Sequence, residues 1–264
     1  MRIACVGRRL PVRDALYDDP ALVSFYDLEN GGPSPDRDCC LALAGKAASV
    51  LDLGCGTGEL AVMIASAADG RVGRAVFGVD PAGAMLDNAR SRPGGAGVTW
   101  VEADARTVRL GRTFDLVVLT GHAFQVFLTE QDRAALLATI AVHLSPAGRF
   151  VFDSRNPAAE EWREWTPDRS HRLVAHPDFG AVEAWNDVEH DPVSGIVTYG
   201  TFYRIVESGR LLSSRSRIAF PARDEIARLI AAAALAVETW LGDWNGTPFT
   251  PASPEIIPLG RRAL

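Results

Sequence analysis

The run Val50-Leu-Asp-Leu-Gly-Cys-Gly-Thr-Gly-Glu59 constrains this chain more than any other part of it. It reads as a buried strand passing directly into a glycine-rich turn and then into a helix. Gly54, Gly56 and Gly58 permit turn conformations closed to other residues and leave no Cβ to hold a ligand away from the backbone. A helix that opens beyond such a turn directs free N–H groups at whatever binds there. The pattern therefore predicts an open α/β sheet with a ligand at the carboxyl ends of its strands.

The spacing narrows the ligand. The glycines fall as G-x-G-x-G rather than G-x-G-x-x-G, and Asp52 stands two residues before the first of them. A pyrophosphate would meet a carboxylate there, whereas a ligand carrying an ammonium group would meet a partner. Three further stations follow in order. Ala75-Val-Phe-Gly-Val-Asp80 is a short apolar run ending in an acid, followed by Pro81 and the helical spacing of Met85, Leu86 and Ala89. A carboxylate at the tip of a second strand is placed to accept ribose hydroxyls. The competing role, an acid at a helix N-terminus, contributes only ~0.3–1 kcal/mol. Val98 to Asp104 and Ala105 form a third strand ending in an acid, and Phe114 to Leu119 a fourth, running out into Thr120-Gly-His122-Ala-Phe124-Gln125. A helix over about 130–144, a turn at Ser145-Pro-Ala-Gly148 and a fifth strand from Arg149 to Asp153 complete the alternation.

These stations resemble the class I S-adenosylmethionine-dependent methyltransferases, whose first motif is carried here by Leu51-Asp-Leu-Gly-Cys-Gly-Thr-Gly58. The resemblance implies an α/β fold with a Rossmann-like seven-stranded sheet, the last strand antiparallel. It implies S-adenosyl-L-methionine as cofactor and transfer of its methyl group to an acceptor, giving S-adenosyl-L-homocysteine. Carried over position by position, the cofactor-binding set is Tyr26, Asp52, Gly54, Cys55, Gly56, Asp80, Pro81, Met85, Asp104, Ala105 and Thr120. Asp104 would hold the adenine amino group, and the Ala105 backbone N–H would face the ring. His122 is the candidate general base, because it stands just beyond the fourth strand and imidazole titrates near neutral pH; holding the cofactor or shaping the pocket is its competing role. Transfer from a sulfonium requires alignment rather than a metal, so no metal ligands are assigned.

The segment Thr120-Gly-His-Ala-Phe124 lacks the Asn- or Asp-Pro-Pro-aromatic sequence of nucleic-acid amino-methyltransferases. A net charge of −6 likewise lacks the basic footprint of a nucleic-acid partner. A small-molecule acceptor is expected, with neither nucleic acid nor membrane as partner. Two other function classes stay open: a non-catalytic sensor of S-adenosylmethionine, and a nicotinamide-dependent oxidoreductase, which Asp52 and the glycine spacing disfavour. Lys46 is the only lysine, which removes any G-x-x-x-x-G-K loop and argues against Schiff-base chemistry. Cys5, Cys39, Cys40 and Cys55 form no C-x-x-C pair, so no structural zinc is expected. Met1 to Arg9 lacks the apolar core of a signal peptide, and a cytoplasmic protein with reduced thiols is expected.

With 264 residues and 47% hydrophobic content, the chain can bury one sizeable core with an elaboration. Residues 1–48 are expected to form a helical cap whose Tyr17, Tyr26 and Asp27 cover the methyl donor or dock the first helix. Residues 49–156 and 221–264 form the α/β core, the latter part through a helix and two closing strands. Residues 157–220 are expected as an inserted antiparallel sheet, because three β-rich runs are separated by Asp191-Pro-Val-Ser-Gly195 and Glu207-Ser-Gly-Arg210. The insert would roof the substrate pocket, join two copies in a homodimer, or both. Trp162, Trp165, Trp185, Tyr199 and Tyr203 are its candidate wall aromatics. The loop Asp243 to Phe249 is expected either near the substrate or as a plain connection.

Overall fold

A computed structural model describes residues 14–67 and 73–263. Cys5 and the Met1 to Arg9 segment lie outside the described residues. The central sheet contains β1 (Ser49–Leu53), β2 (Ala75–Asp80), β3 (Val98–Glu102), β4 (Phe114–Leu119), β5 (Leu144–Phe152), β11 (Leu235–Leu241) and β12 (Glu255–Arg262), in the spatial order β3-β2-β1-β4-β5-β12-β11. β1 to β5 pair in parallel, and β12 runs antiparallel to both β5 and β11. This is the expected seven-stranded arrangement with its last strand reversed. A two-residue strand, β6 (Ser154–Arg155), extends the sheet by pairing with the start of β12.

The parallel strands are apolar because both faces are covered. Alternate residues of β1 and β4 point to opposite sides. Leu51, Leu53, Val117 and Leu119 meet α6 (Glu130–His143) and α8 (Arg223–Ala232) through Leu136, Ile140, Ile226 and Ile230. Val50, Leu116 and Val118 meet α3 (Pro35–Ala44) and α4 (Glu59–Ser66) through Cys40, Ala44, Leu60 and Ile64. Each such buried aliphatic side chain contributes roughly 1.5–3 kcal/mol. α6 starts where the Thr129 side chain accepts a hydrogen bond from Asp132 N, with Glu130 and Asp132 in its first turn. Phe114 pairs with Leu144 and Leu116 with Arg149, so residues 145–148 loop out at the predicted Ser-Pro-Ala-Gly turn.

The insert is a four-stranded antiparallel sheet in the order β10-β9-β8-β7, formed by β7 (Arg172–His176), β8 (Gly180–His190), β9 (Ile196–Ile205) and β10 (Leu211–Ala219). Three strands match the expected runs. β7 was missed because five residues bounded by Arg and His carry too little apolar pattern to stand out.

The helices before the sheet are α1 (Ala15–Asp18), α2 (Pro20–Asn30) and α3. α2 begins with Pro20 behind an Asp19 cap, and it joins the two sheets. On one side Leu22 and Phe25 pack on Val182, Ala184, Tyr203 and Ile205 of the insert, with the Phe25 ring stacked 4.0 Å from that of Tyr203. Glu29 pairs with Arg172 at 2.5 Å and accepts a hydrogen bond from the Tyr203 hydroxyl. On the other side Asp27 accepts from Thr57 Oγ1 in the glycine turn at 2.5 Å and pairs with Arg92 beyond α5 (Gly83–Ser91). Tyr26 is thereby held over the carboxyl edge of the central sheet. Among the described residues no helix is long and apolar enough to cross a membrane.

Candidate functional site

The glycine turn is locked to its neighbour strand. Gly54 N and Cys55 N both donate to Val79 O, at 2.7 and 3.1 Å. Gly54 adopts φ +73°, and a Cβ there would stand 3.2 Å from that of Ala123. Gly58 has a different reason to lack a side chain. At φ +77° a Cβ would lie 2.4 Å from Trp100 Cη2 and 2.8 Å from Ala89 Cβ. The third glycine therefore makes room for the Trp100 ring, whereas a Cβ on Gly56 would have only Tyr26 Cε1 nearby, at 3.9 Å. Gly56 is the glycine that opens on the cleft.

Asp80, 8% exposed, ends β2. Oδ2 accepts from Gly56 N and Oδ1 from Ala82 N, both at 2.9 Å. It thus fixes the turn while two of its roughly four lone-pair sites stay available. Burial raises its pKa against the pull of these hydrogen bonds. Asp52 is 2% exposed, and among the described residues none donates a hydrogen bond to its carboxylate. Burial, with the neighbouring Asp80 charge, pushes its pKa up to about 7. Tyr26 bridges the cleft. A Cβ on Gly121, across from Gly56, would lie 3.9 Å from its hydroxyl, and burial followed by the Asp80 charge raises its pKa to about 12.

The remaining motif residues are less uniform. Cys55 and Thr120 are half-buried on the edge, Pro81 is exposed beside Asp80, and Ala105 is buried beyond β3. Met85 is 1% exposed and packs with Val23, Tyr17 and Tyr26, so it supports the tyrosine from behind. The Asp104 carboxylate is already engaged by Arg106, whose backbone N and guanidinium both donate to it. Although burial opposes this, Arg106 holds the Asp104 pKa below its usual range.

Beyond β4 the chain turns through His122 in the left-handed region, φ +60° and ψ +22°. Two residues absent from the sequence reading of the site surround it. Asp153, 1% exposed at the end of β5, accepts from His122 N at 2.9 Å, and its Oδ2 lies 3.8 Å from His122 Nε2. Glu255, the first residue of β12, places Oε1 3.3 Å from the same nitrogen. One donor atom from each of the three lies within 4.8 Å of the others. Burial raises the Asp153 pKa, with His122 opposing. The loop 243–249 folds back on β11 through the Leu241–Pro248 bridge, and Gly242 O at its base accepts from Glu255 N. Sequence spacing could flag Asp153 as an acid at a strand end; nothing local to residue 255 marks it.

Residues 50–148 match the family described as a methyltransferase domain. A cypemycin N-terminal methyltransferase from a Streptomyces species is 32% identical over 148 residues, which cover 54% of this chain and 58% of that relative. The CcbJ methyltransferase from Streptomyces caelestis superposes with a TM-score of 0.74 at 23% identity, over 92% of this chain and 96% of that one. The sugar N-methyltransferase KedS8 from a Streptoalloteichus species gives a TM-score of 0.74 at 20% identity, over 100% of both chains. Residues 50–148 are thus similar to a methyltransferase domain over less than half of the chain, and the fold is shared with these solved methyltransferases.

Proposed function

We propose that this protein transfers the methyl group of S-adenosyl-L-methionine to a small-molecule acceptor. The observation that carries the reading is Asp52, 2% exposed and given a hydrogen bond by no described residue, beside a glycine turn open to a ligand. Such a group needs a cation, and the ammonium of the methionyl end supplies one. Asp80 keeps acceptor capacity for ribose hydroxyls after serving Gly56 and Ala82. Tyr26 and Gly56 would enclose the donor, while Cys55, Gly54, Pro81, Met85, Ala105 and Thr120 shape its surroundings. Asp104 would meet the adenine only with oxygen lone pairs that Arg106 leaves over.

The bound donor supplies a methyl group already activated by its positive sulfur. What the chain must add is alignment, which can account for ~7–11 kcal/mol of a barrier, and removal of a proton where the acceptor carries one. His122 is the base in this reading. In this reading the described part of residues 1–48 caps the site, that of 49–156 with 221–264 binds the donor, and 157–220 roofs the acceptor. The insert also offers a contact for a second copy, which sedimentation velocity would test.

The test is calorimetric titration with S-adenosylmethionine, S-adenosylhomocysteine and NADH, followed by methyl transfer from labelled donor to small-molecule fractions. Binding of the first two and label in an acceptor are expected. Binding of NADH alone would sink the proposal, and tight donor binding with no label transferred to any fraction would mark a sensor.

A further inference from the structure

The two faces of the four-stranded insert differ in character. Alternation along its strands turns Val182, Ala184, Tyr203, Ile205 and Leu212 inward onto α2. On the opposite face β8 presents Glu183, Trp185, Asp187 and Glu189. β10 presents Leu211, Ser213, Arg215 and Arg217, and β9 runs between the two. Strand pairing sets these residues in level ranks. Glu183 and Leu211 flank Arg204, Trp185 and Ser213 flank Phe202, Asp187 and Arg215 flank Gly200, and Glu189 and Arg217 flank Thr198.

This outer face is composed like a contact surface. The Trp185 and Phe202 rings stack at 5.3 Å, and Leu211 and Leu173 stand 51% and 70% exposed at one end. Aromatic side chains ringed by arginine mark interfaces. On these three strands Glu183, Asp187 and Glu189 are matched by Arg204, Arg215 and Arg217, although the whole chain carries −6. A second copy therefore meets no like-charge barrier here.

The charges also lie in a self-complementary order. A two-fold axis nearly parallel to the strands and passing over β9 lays β8 of one copy on β10 of the other, each rank against its own, as aligned sheets pack. Asp187 then faces Arg215 of the second copy, Glu189 faces Arg217, and Phe202 meets its own counterpart. Within one chain Arg215 already lies 3.1 Å from Asp187 and 3.4 Å from Glu189, so each such arginine gains a second acid across the axis. Leu211 comes over the rank of Glu183, beside a groove of about 450 Å³ lined by Pro167, Asp168, His171, Glu183, Trp185 and Arg204. An axis across the strands would instead set the acids of β8 on the acids of β8.

We infer that this face joins two copies of the chain in a two-fold dimer, β8 of each on β10 of the other. The inference stands apart from the function proposed above, because the face is the one turned away from α2 and the cleft.

Sedimentation velocity of the full chain should show a dimer that dissociates on dilution below about 1 μM. Asp187→Arg and Arg215→Asp each set like charges against one another twice across the axis, and each should raise the dissociation constant by about 100-fold or more. Mixed in equal amounts, the two variants should associate as the wild type does, because the two substituted side chains then face each other and the two unchanged ones do likewise. Loss of the Asp187–Arg215 pair within a chain gives no such recovery, nor does association through another surface. Ser213→Arg, at the exposed middle rank, is a second disrupting variant should a charge swap fail to fold. Arg228→Asp, 57% exposed on α8 of the core, controls for net charge and should shift the dissociation constant less than about twofold. Tm and S-adenosylhomocysteine affinity report whether each variant is folded. A wild type still monomeric at about 100 μM, a dimer that the disrupting variants leave intact, or a mixture of the two charge swaps that stays monomeric overturns the inference. None of these outcomes bears on the proposed function, which the donor titration decides.

Discussion

The pH dependence of donor binding follows from Asp52. In the ligand-free protein its carboxyl is pushed up to about 7 by burial and by the Asp80 charge. Only the carboxylate form can pair with an ammonium, so the ligand must displace whatever proton is present. With a midpoint at about 7, the carboxylate fraction is about one tenth at pH 6 and about three quarters at pH 7.5, so affinity should rise about eightfold across that interval. Over the same range an amino group titrating near ~7.7–8.0 is mostly protonated and contributes little to the slope. Calorimetry with S-adenosylhomocysteine in buffers of different ionisation enthalpy should show nearly one proton released per ligand at pH 6 and far fewer at pH 7.5. Asp52→Asn should flatten the profile and weaken binding at pH 7.5. The stability sign is opposite. Because the folded-state pKa is raised, the contribution of this carboxyl to stability is full below its unfolded value near 3.8 and is lost as pH rises towards 7. Asp52→Asn should therefore raise the Tm of the ligand-free protein at pH 8. A pH-independent affinity in the wild type, with no proton release, would refute the ammonium partner for Asp52.

Asp80→Asn removes the charge and sets an amide N–H₂ against Gly56 N or Ala82 N; donor affinity should fall by roughly 1–3 kcal/mol and Tm should fall with it, and calorimetry showing unchanged affinity would discard the ribose role. Gly58→Ala should lower Tm through overpacking against Trp100, by about 1–3 kcal/mol of stability. Gly56→Ala, which faces only Tyr26 Cε1, should instead act mainly on donor affinity, so denaturant melts and calorimetry on the pair separate the two roles. His122→Ala should lower methyl transfer by about 10²–10⁴-fold if it is the base, with S-adenosylhomocysteine affinity nearly unchanged; loss of affinity with turnover preserved at saturating donor would move His122 to the binding shell.

What the sequence revealed was whatever depends on local pattern. β1 and β2 are apolar runs that end at a glycine and an acid, β4 is one that runs out into Thr120-Gly121, and their order was readable because each station is contiguous. The hairpin turns of the insert carried their own Gly and Pro signals, so β8, β9 and β10 were placed almost to the residue. The role of Gly58 was not legible. The motif looks like three ligand-facing glycines, and only the packing of Trp100, forty-two residues on, shows that the third serves the fold. Asp104 was read by position alone, yet Arg106, two residues later, occupies its carboxylate. Glu255 was invisible for a different reason. It reaches His122 because β12 inserts between β5 and β11 and pairs with Arg155 at its start, and no spacing rule connects positions 122 and 255.

The same topology explains why the edge tolerates so many acids. Asp52, Asp80 and Asp153 are all held above the ordinary carboxylate range by burial. Among the described residues no lysine or arginine donates a hydrogen bond to any of them or to Glu255. In a purely structural edge this would be a defect, since unpaired buried carboxylates are among the costlier features a fold can carry. Arginines elsewhere do pair with acids close to the site, as Arg106 does with Asp104 and Arg92 with Asp27, so the chain has the means to neutralise an acid where it is advantageous. Asp80, Asp52, Asp153 and Glu255, which receive no hydrogen bond from a lysine or arginine among the described residues, all lie on the line from β2 to β12. A ligand with a sulfonium, an ammonium and one carboxylate brings one net positive charge to that line. Binding would then relieve strain already present in the ligand-free protein, so ligand-induced stabilisation should grow as pH rises from 6 to 7.5 and Asp52 and its neighbours ionise.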